Sequence, residues 1–356
     1  MTEGMAVLVF GAGALGTYVG GSLALAGHDV TFIEQQKVAA ELRARGLRLD
    51  FDKGEGGRLK AEDSTFILQP SAFTCVDSLK SALEHGPFDV AVFALKSFDT
   101  AAALEGVKAF AAQMPPVFCL QNGVDNEPAI AAALGADKVI HGTTTSSIGR
   151  RAAGDIVLER LRGMGVAGGH PLSERLVAAL NEAGLNARLY PRPVDMKWSK
   201  MLTNLTANAS AAILDMTPAE VFAHAGLYAL EMRQLREALA VMAAQGIRVV
   251  DLPGTPVRAL TLAMRLPSFL TRPLLKKVVG GGRGGKMPSF HIDLHSGRGK
   301  SEVDYLNGAV ARAGERLGVP TPVNRLLNDT LLALTHGSIP LAEFSRQPQK
   351  LLAMFT

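Results

Sequence analysis

The chain has 356 residues, 47% hydrophobic and 20% charged. At about 150 residues per domain the length favours two domains, and the composition excludes a mainly disordered, collagenous or disulfide-stapled chain. A formal net charge of +4 is too small by itself to specify a nucleic acid or a membrane surface as partner. Cys75 and Cys119 are the only cysteines, which suits core packing in a reducing compartment.

Residues 4–28 carry no formal charge, a length that could pass for a membrane span. Gly11, Gly13, Gly16, Gly20 and Gly21 break that stretch, and Glu3 stands where a signal peptide carries Lys or Arg. A cytoplasmic, unprocessed protein is expected, with neither membrane nor nucleic acid as partner. Ala6–Phe10 reads as a strand buried on both faces. Gly11-Ala12-Gly13-Ala14-Leu15-Gly16 follows, and Leu15, Val19, Leu23 and Ala26 then recur at helical spacing up to Gly27. A second strand, Val30–Ile33, completes the β-α-β context that gives a GxGxxG pattern its meaning. In that context Gly11 permits a tight turn, Gly13 lets backbone approach a pyrophosphate, and Gly16 lets helix and strand pack closely. Amide groups and the helix dipole then face the anion. Glu34 ends the second strand, where a carboxylate accepts bonds from ribose hydroxyls and repels a 2′-phosphate, which favours NAD(H) at this position. An exposed strand-end acid is the structural alternative.

Strands continue at Asp89–Ala94 and Val117–Leu120, with a helix predicted over Thr100–Ala112 between them. This alternation predicts a doubly wound parallel sheet, with ligands beyond the carboxyl ends of its strands. Lys96 and Gln121-Asn122-Gly123 stand at those ends, although Asn-Gly is also a common turn dipeptide. Pro191 and Pro193 then punctuate the chain, which divides as residues 1–192 and 193–356. A helix is predicted over Val194–Leu214, with Lys200, Asn204 and Asn208 forming one polar stripe along it. No charge falls between Met201 and Leu214, so the stripe is expected to face a cleft. Later helices are predicted at Leu227–Gln245, Ser301–Leu317 and Pro322–Leu334, with Glu302 and Asp304 complementing the dipole of the second.

From Pro253 to Lys300 nine Lys or Arg face a single acid, Asp293; a solvated basic flap or attraction of an anionic ligand would both explain them. Gly280–Lys286 imitates a phosphate-binding loop but lacks the hydroxyl residue, because Met287 stands in its place. His291 and His295 lie four apart without a third ligand evident from the sequence, so no metal is expected.

Together these residues resemble the ketopantoate reductases (2-dehydropantoate 2-reductases) over nearly the whole chain. The matching parts are the Gly11–Gly16 loop, Leu95-Lys96, Gln121-Asn122-Gly123 and Gly142-Thr-Thr-Thr145. Lys200-x3-Asn204-x3-Asn208, Pro288-Ser289 with Asp293, and Glu302-Val-Asp-Tyr-Leu-Asn-Gly308 complete them. The resemblance implies a Rossmann-type domain followed by an all-α domain like the carboxy-terminal one of 6-phosphogluconate dehydrogenase. It implies reduction of 2-dehydropantoate to pantoate in the cleft between the domains, on the way to pantothenate and coenzyme A. Lys200 would be the proton donor, assisted by Glu302. Asn122, Lys200, Asn204, Asn208 and Ser289 would hold the small 2-oxo acid, and Lys96, Asn122 and Ile148 would join the glycine loop and Glu34 in holding the cofactor. By resemblance that cofactor is NADP(H), although family members using NADPH commonly carry a basic residue where Glu34 stands. A homodimer is compatible with the family. Two alternatives stay open: a reductase of another branched 2-oxo acid or an opine-like imine, and a non-catalytic dinucleotide sensor.

Overall fold

The computed structural model describes residues 4–51, 65–266, 271–272 and 287–355. The chain forms two compact units, Met1–Lys197 with Leu252–Thr255, and Trp198–Asp251 with Pro256–Thr356. The strands, all in the first unit, are β1 (Ala6–Phe10), β2 (Asp29–Ile33), β3 (Leu47–Asp50), β4 (Thr65–Leu68), β5 (Thr74–Val76), β6 (Val90–Phe93), β7 (Val117–Cys119), β8 (Val139–Thr144), β9 (Ser147–Ala152), β10 (Asp155–Arg160), β11 (Met164–Ala167) and β12 (Ala187–Tyr190). Its helices are α1 (Ala14–Leu25), α2 (Gln36–Arg45), α3 (Leu79–Leu83), α4 (Thr100–Lys108), α5 (Asn126–Leu134) and α6 (Ser173–Glu182). Helix α7 (Pro193–Leu205) carries the chain from one unit into the other.

Eight strands form one sheet in the order β12-β11-β8-β7-β6-β1-β2-β5. Every pairing in it is parallel except that of β11 with β8. The chain runs outward from β1 through β2 to β5, then returns to the other side of β1 and continues through β6, β7 and β8. The switch point therefore lies between β1 and β6, and sheets of this topology bind ligands beyond the carboxyl ends of the strands at that point. The doubly wound sheet expected from the alternating pattern is present. Helix α4 is shorter than predicted: after Lys108 the backbone tightens into i→i−3 bonds at Phe110, Ala111 and Gln113, which end the α-helix.

A second sheet, β4-β3-β10-β9, was not foreseen. It covers the other side of α1, which contacts β1 and β2 as well as β3, β9 and β10. Residues Gly16 through Leu23 are consequently all buried. Adjacent glycines serve the two faces: a Cβ at Gly20 would meet the Phe32 ring of β2 at 2.6 Å, and one at Gly21 would meet Leu49 of β3 at 2.9 Å.

Among the described residues the second unit is helical. After α7 come α8 (Ala209–Leu214), α9 (Pro218–Ala223), α10 (Ala225–Ala244), α11 (Val257–Ala263), α12 (Ser289–Leu294), α13 (Val303–Leu317), α14 (Pro322–Thr335) and α15 (Pro348–Ala353). The single helix expected over Val194–Leu214 is in fact two. The chain breaks at Ala207, whose φ is +46°, and the fully buried Glu231 of α10 explains why. Its carboxylate accepts from the Ala207 N–H at 2.7 Å, from the Ser210 hydroxyl at 2.5 Å and from the Gln234 amide at 2.6 Å. A desolvated charge holding three donors outweighs continuation of the helical ladder. Lys276, Lys277, Arg283 and Lys286 of the basic segment, and all of Gly280–Lys286, lie outside the described residues.

Candidate functional site

The glycine loop leaves β1 at Gly11, where φ is +91°, and turns at once into α1. A Cβ on Gly16 would meet the Gly11 carbonyl oxygen at 1.9 Å, so only glycine allows this close return of the helix. Gly13 has open space around its Cα, as approach of a phosphate requires. Ala12 is anchored on both sides: its carbonyl accepts from the Thr17 hydroxyl at 2.9 Å and from the Gly154 N–H, in the β9–β10 turn, at 3.0 Å. Its N–H donates to Glu34 at 2.5 Å, and the other carboxylate oxygen accepts from the Gln35 N–H at 3.1 Å. Glu34 thus stands over the loop itself, closer in than a ribose contact requires. The remaining loop residues, Ala14 and Leu15, are half-buried at the start of α1.

Beyond β6 and β7 the expected Lys96 and Asn122 segments come together through a polar network that sequence reasoning missed. The buried Ser97 hydroxyl donates to the Asn122 carbonyl at 2.9 Å, and the Asn126 amide donates to the same carbonyl at 2.7 Å. Thr100 donates to Asn126 at 2.8 Å, while Gln121 donates to Thr100 at 2.7 Å and to the Lys96 carbonyl at 3.3 Å. The side chains of Lys96 and Asn122 are half-buried. Ile148 belongs to β9 of the second sheet, where it packs against the core rather than at a strand end of the larger sheet.

Lys197 also went unforeseen. Its ammonium lies 2.6 Å from Glu127, with the two side chains 4% and 1% exposed, and donates to the carbonyls of Gln121 at 2.7 Å and Gly142 at 3.2 Å. Two backbone carbonyls and one buried carboxylate surround the ammonium, so this lysine is a structural cation. The nearby Cys119 thiol is pushed well up, by burial first and by the Glu127 charge second, and stays protonated. An isolated Lys between Met196 and Trp198 was the available signal in the sequence.

In the second unit the Asn208 side chain is not the third rung of a continuous stripe. It precedes α8 and is buried, donating to the Asn204 carbonyl at 3.0 Å and to Ser289 at 3.3 Å, and accepting from the Phe290 N–H at 3.2 Å. Asn204, Asn208 and Ser289 are therefore brought together, with Lys200 and Asn204 half-buried on α7 and Ser289 exposed. Helix α13 begins at Val303, two residues later than predicted. Asp304 pairs with Arg312 at 2.7 Å, whereas Glu302 is buried and does not cap the helix with its side chain.

Residues 7–167 match the family model described as ketopantoate reductase PanE/ApbA, and residues 194–335 match the model of that family's C-terminal part. The chain belongs to the ketopantoate reductase family. Similar proteins include a 2-dehydropantoate 2-reductase of Halobacterium salinarum, 29% identical with 91% of this chain and 97% of that protein covered. Another, from Streptococcus pyogenes, is 24% identical with 92% and 97% covered. Among solved structures, a PanE/ApbA family ketopantoate reductase from Ralstonia eutropha superposes with a TM-score of 0.75 at 25% identity, covering 94% of this chain and 99% of its own. A D-mandelate dehydrogenase solved with NADH and anilino(oxo)acetate shares the fold at a TM-score of 0.73 and 21% identity, with the same coverage.

Proposed function

We propose that this protein reduces 2-dehydropantoate to (R)-pantoate with a nicotinamide cofactor, using Lys200 as proton donor. The observation that carries this reading is the match to both parts of the ketopantoate reductase family model, over residues 7–167 and 194–335. Buried Lys197 is held by Glu127 and two backbone carbonyls, and Lys200, one turn later, opens the Lys-x3-Asn-x3-Asn pattern. The Gly11–Gly16 turn, with open space at Gly13, fits a pyrophosphate. A bound reduced nicotinamide would supply hydride to the ketone carbon. Lys200 would stabilise the developing alkoxide and deliver its proton, an effect worth about 10²- to 10⁴-fold. Asn204, Asn208 and Ser289 would hold the hydroxyl and carboxylate of the 2-oxo acid, Glu302 would bond on the side of the reacting oxygen, and Lys96 with Asn122 would fix the nicotinamide end.

A second reading is reduction of a different 2-oxo acid, favoured by the similarity of fold to the D-mandelate dehydrogenase. A non-catalytic dinucleotide sensor fits less well, because sensing has no need of Lys200, Asn204 and Asn208. The test is a panel of 2-oxo acids with NADH and with NADPH, followed by absorbance of the nicotinamide. Fastest turnover on 2-dehydropantoate is expected; faster turnover on an aryl 2-oxo acid selects the second reading, and nucleotide binding without any turnover selects the sensor. Lys200→Ala should lower kcat by at least about 10²-fold while nucleotide affinity survives. Near-normal turnover would remove Lys200 from its role.

A further inference from the structure

Helices α8 and α12 pack side by side, and the contact has two ends. At one, Asn208 meets Ser289 and Phe290. At the other, the residue that ends α8 meets two histidines: Asp215 Oδ1 lies 2.8 Å from His291 Nε2, and the His291 and His295 rings sit 4.2 Å apart, centre to centre. The sequence offered the two histidines, one helical turn apart, without a third ligand. The fold supplies it from 76 residues away. One ligand atom from each of Asp215, His291 and His295 lies within 4.8 Å of the others.

We propose that Asp215, His291 and His295 form a binding site for a divalent transition-metal ion, zinc being the best fit to two imidazoles and one carboxylate. His291 in α12 and His295, the residue that caps its end, are spaced i, i+4 and can chelate. Bonds of about 2.0–2.1 Å around a tetrahedral ion set neighbouring donors roughly 3.3 Å apart. The carboxylate–imidazole distance is slightly below that and the other ligand atoms fall within reach of it, so rotation of exposed side chains closes the site. Asp215 is in the left-handed region, with φ at +50°, a conformation Asp tolerates better than most residues. It turns the carboxylate from the end of α8 toward α12. His291 is held by packing, its side chain only 16% exposed, while Asp215 and His295 are exposed and leave coordination positions for water. The nearby Arg346 is already paired with Glu220. An ion here would clamp α8 and α12 at the end of their contact remote in sequence from the Asn208–Ser289 bond.

The experiment is calorimetric titration of Zn²⁺ into chelator-treated full-length protein, repeated with Co²⁺ so that its absorption bands report coordination. One ion per chain is expected, together with a rise in melting temperature on Zn²⁺ addition. Asp215→Asn keeps the left-handed backbone, because Asn also tolerates it, and His295→Ala removes an exposed side chain, so both variants should fold. Each should weaken the site at least about tenfold. Equal stoichiometry and affinity in wild type and both variants would assign the binding to other histidines and overturn the proposal, as would the absence of saturable binding. Binding is the readout, so the result stands apart from the identity of the substrate.

Discussion

Lys197 and Lys200 stand one helical turn apart in α7, the first buried and the second half-buried. From sequence alone only Lys200 was legible, because it opens a recognisable pattern. Lys197 was invisible because its partners, Glu127, Gln121 and Gly142, lie 55 to 76 positions away and no local spacing announces them. Glu34 was legible as an acid at the end of β2, but its bond to the Ala12 amide was not, since it depends on how tightly the glycine turn folds back. That bond holds a carboxylate at the end of β2 beside the loop, and in the reading proposed above it disfavours a 2′-phosphate on the nearby ribose. NADH is therefore expected to be the better cofactor, with Glu34→Gln shifting the ratio of kcat/KM toward NADPH by about tenfold or more, as removal of about 1.4 kcal/mol of repulsion implies. Strong preference of the wild type for NADPH would contradict this account of the carboxylate.

At the scale of elements, strands buried on both faces were readable because continuous apolar runs mark them. The second sheet was not, because its strands carry polar or charged residues, such as Arg48 and Asp50 of β3 and Arg150 and Arg151 of β9, in place of continuous apolar runs. Its presence explains the otherwise odd Gly20-Gly21 pair, which a one-sided helix would not need. Gly20→Ala should push a methyl group into Phe32 and lower the unfolding free energy by about 1–3 kcal/mol, measurable as an earlier denaturant midpoint; an unmoved midpoint would mean the ring yields freely. The split between α7 and α8 escaped prediction for a related reason. Helical periodicity runs straight through Ala207, and only the buried carboxylate of Glu231, arriving from another helix, decides against it.

Across the whole molecule, the change from alternating strands and helices to helices alone falls at residues 192–193 of the sequence, and the compact units exchange at Lys197–Trp198. The return of Leu252–Thr255 to the first unit had no local mark, since it rests on bonds such as that from the Thr145 hydroxyl to the Pro253 carbonyl at 2.6 Å. The C-terminal segment closes the second unit through Arg346, whose N–H donates to the Leu214 carbonyl at 2.8 Å and whose guanidinium pairs with Glu220. That guanidinium first, and the Thr217 N–H and hydroxyl second, hold the Glu220 carboxyl at about 2. A depressed carboxyl stabilises the fold above its unfolded value of about 4.3 and loses that contribution as pH falls through its folded value. Stability should therefore decline between about pH 5 and pH 2 more steeply in the wild type than in Glu220→Gln, as followed by melting temperature. The difference should be modest because both side chains are substantially exposed to water; identical slopes would exclude the pairing.

The bond from the Gly154 N–H to the Ala12 carbonyl joins the turn between β9 and β10 to the loop that opens α1, two places 142 residues apart in the chain. In the reading proposed above, lengthening or stiffening that distant turn is expected to act on the fit of the dinucleotide and to leave the choice of oxo acid alone. An engineer could thus adjust one affinity of the protein without disturbing the other.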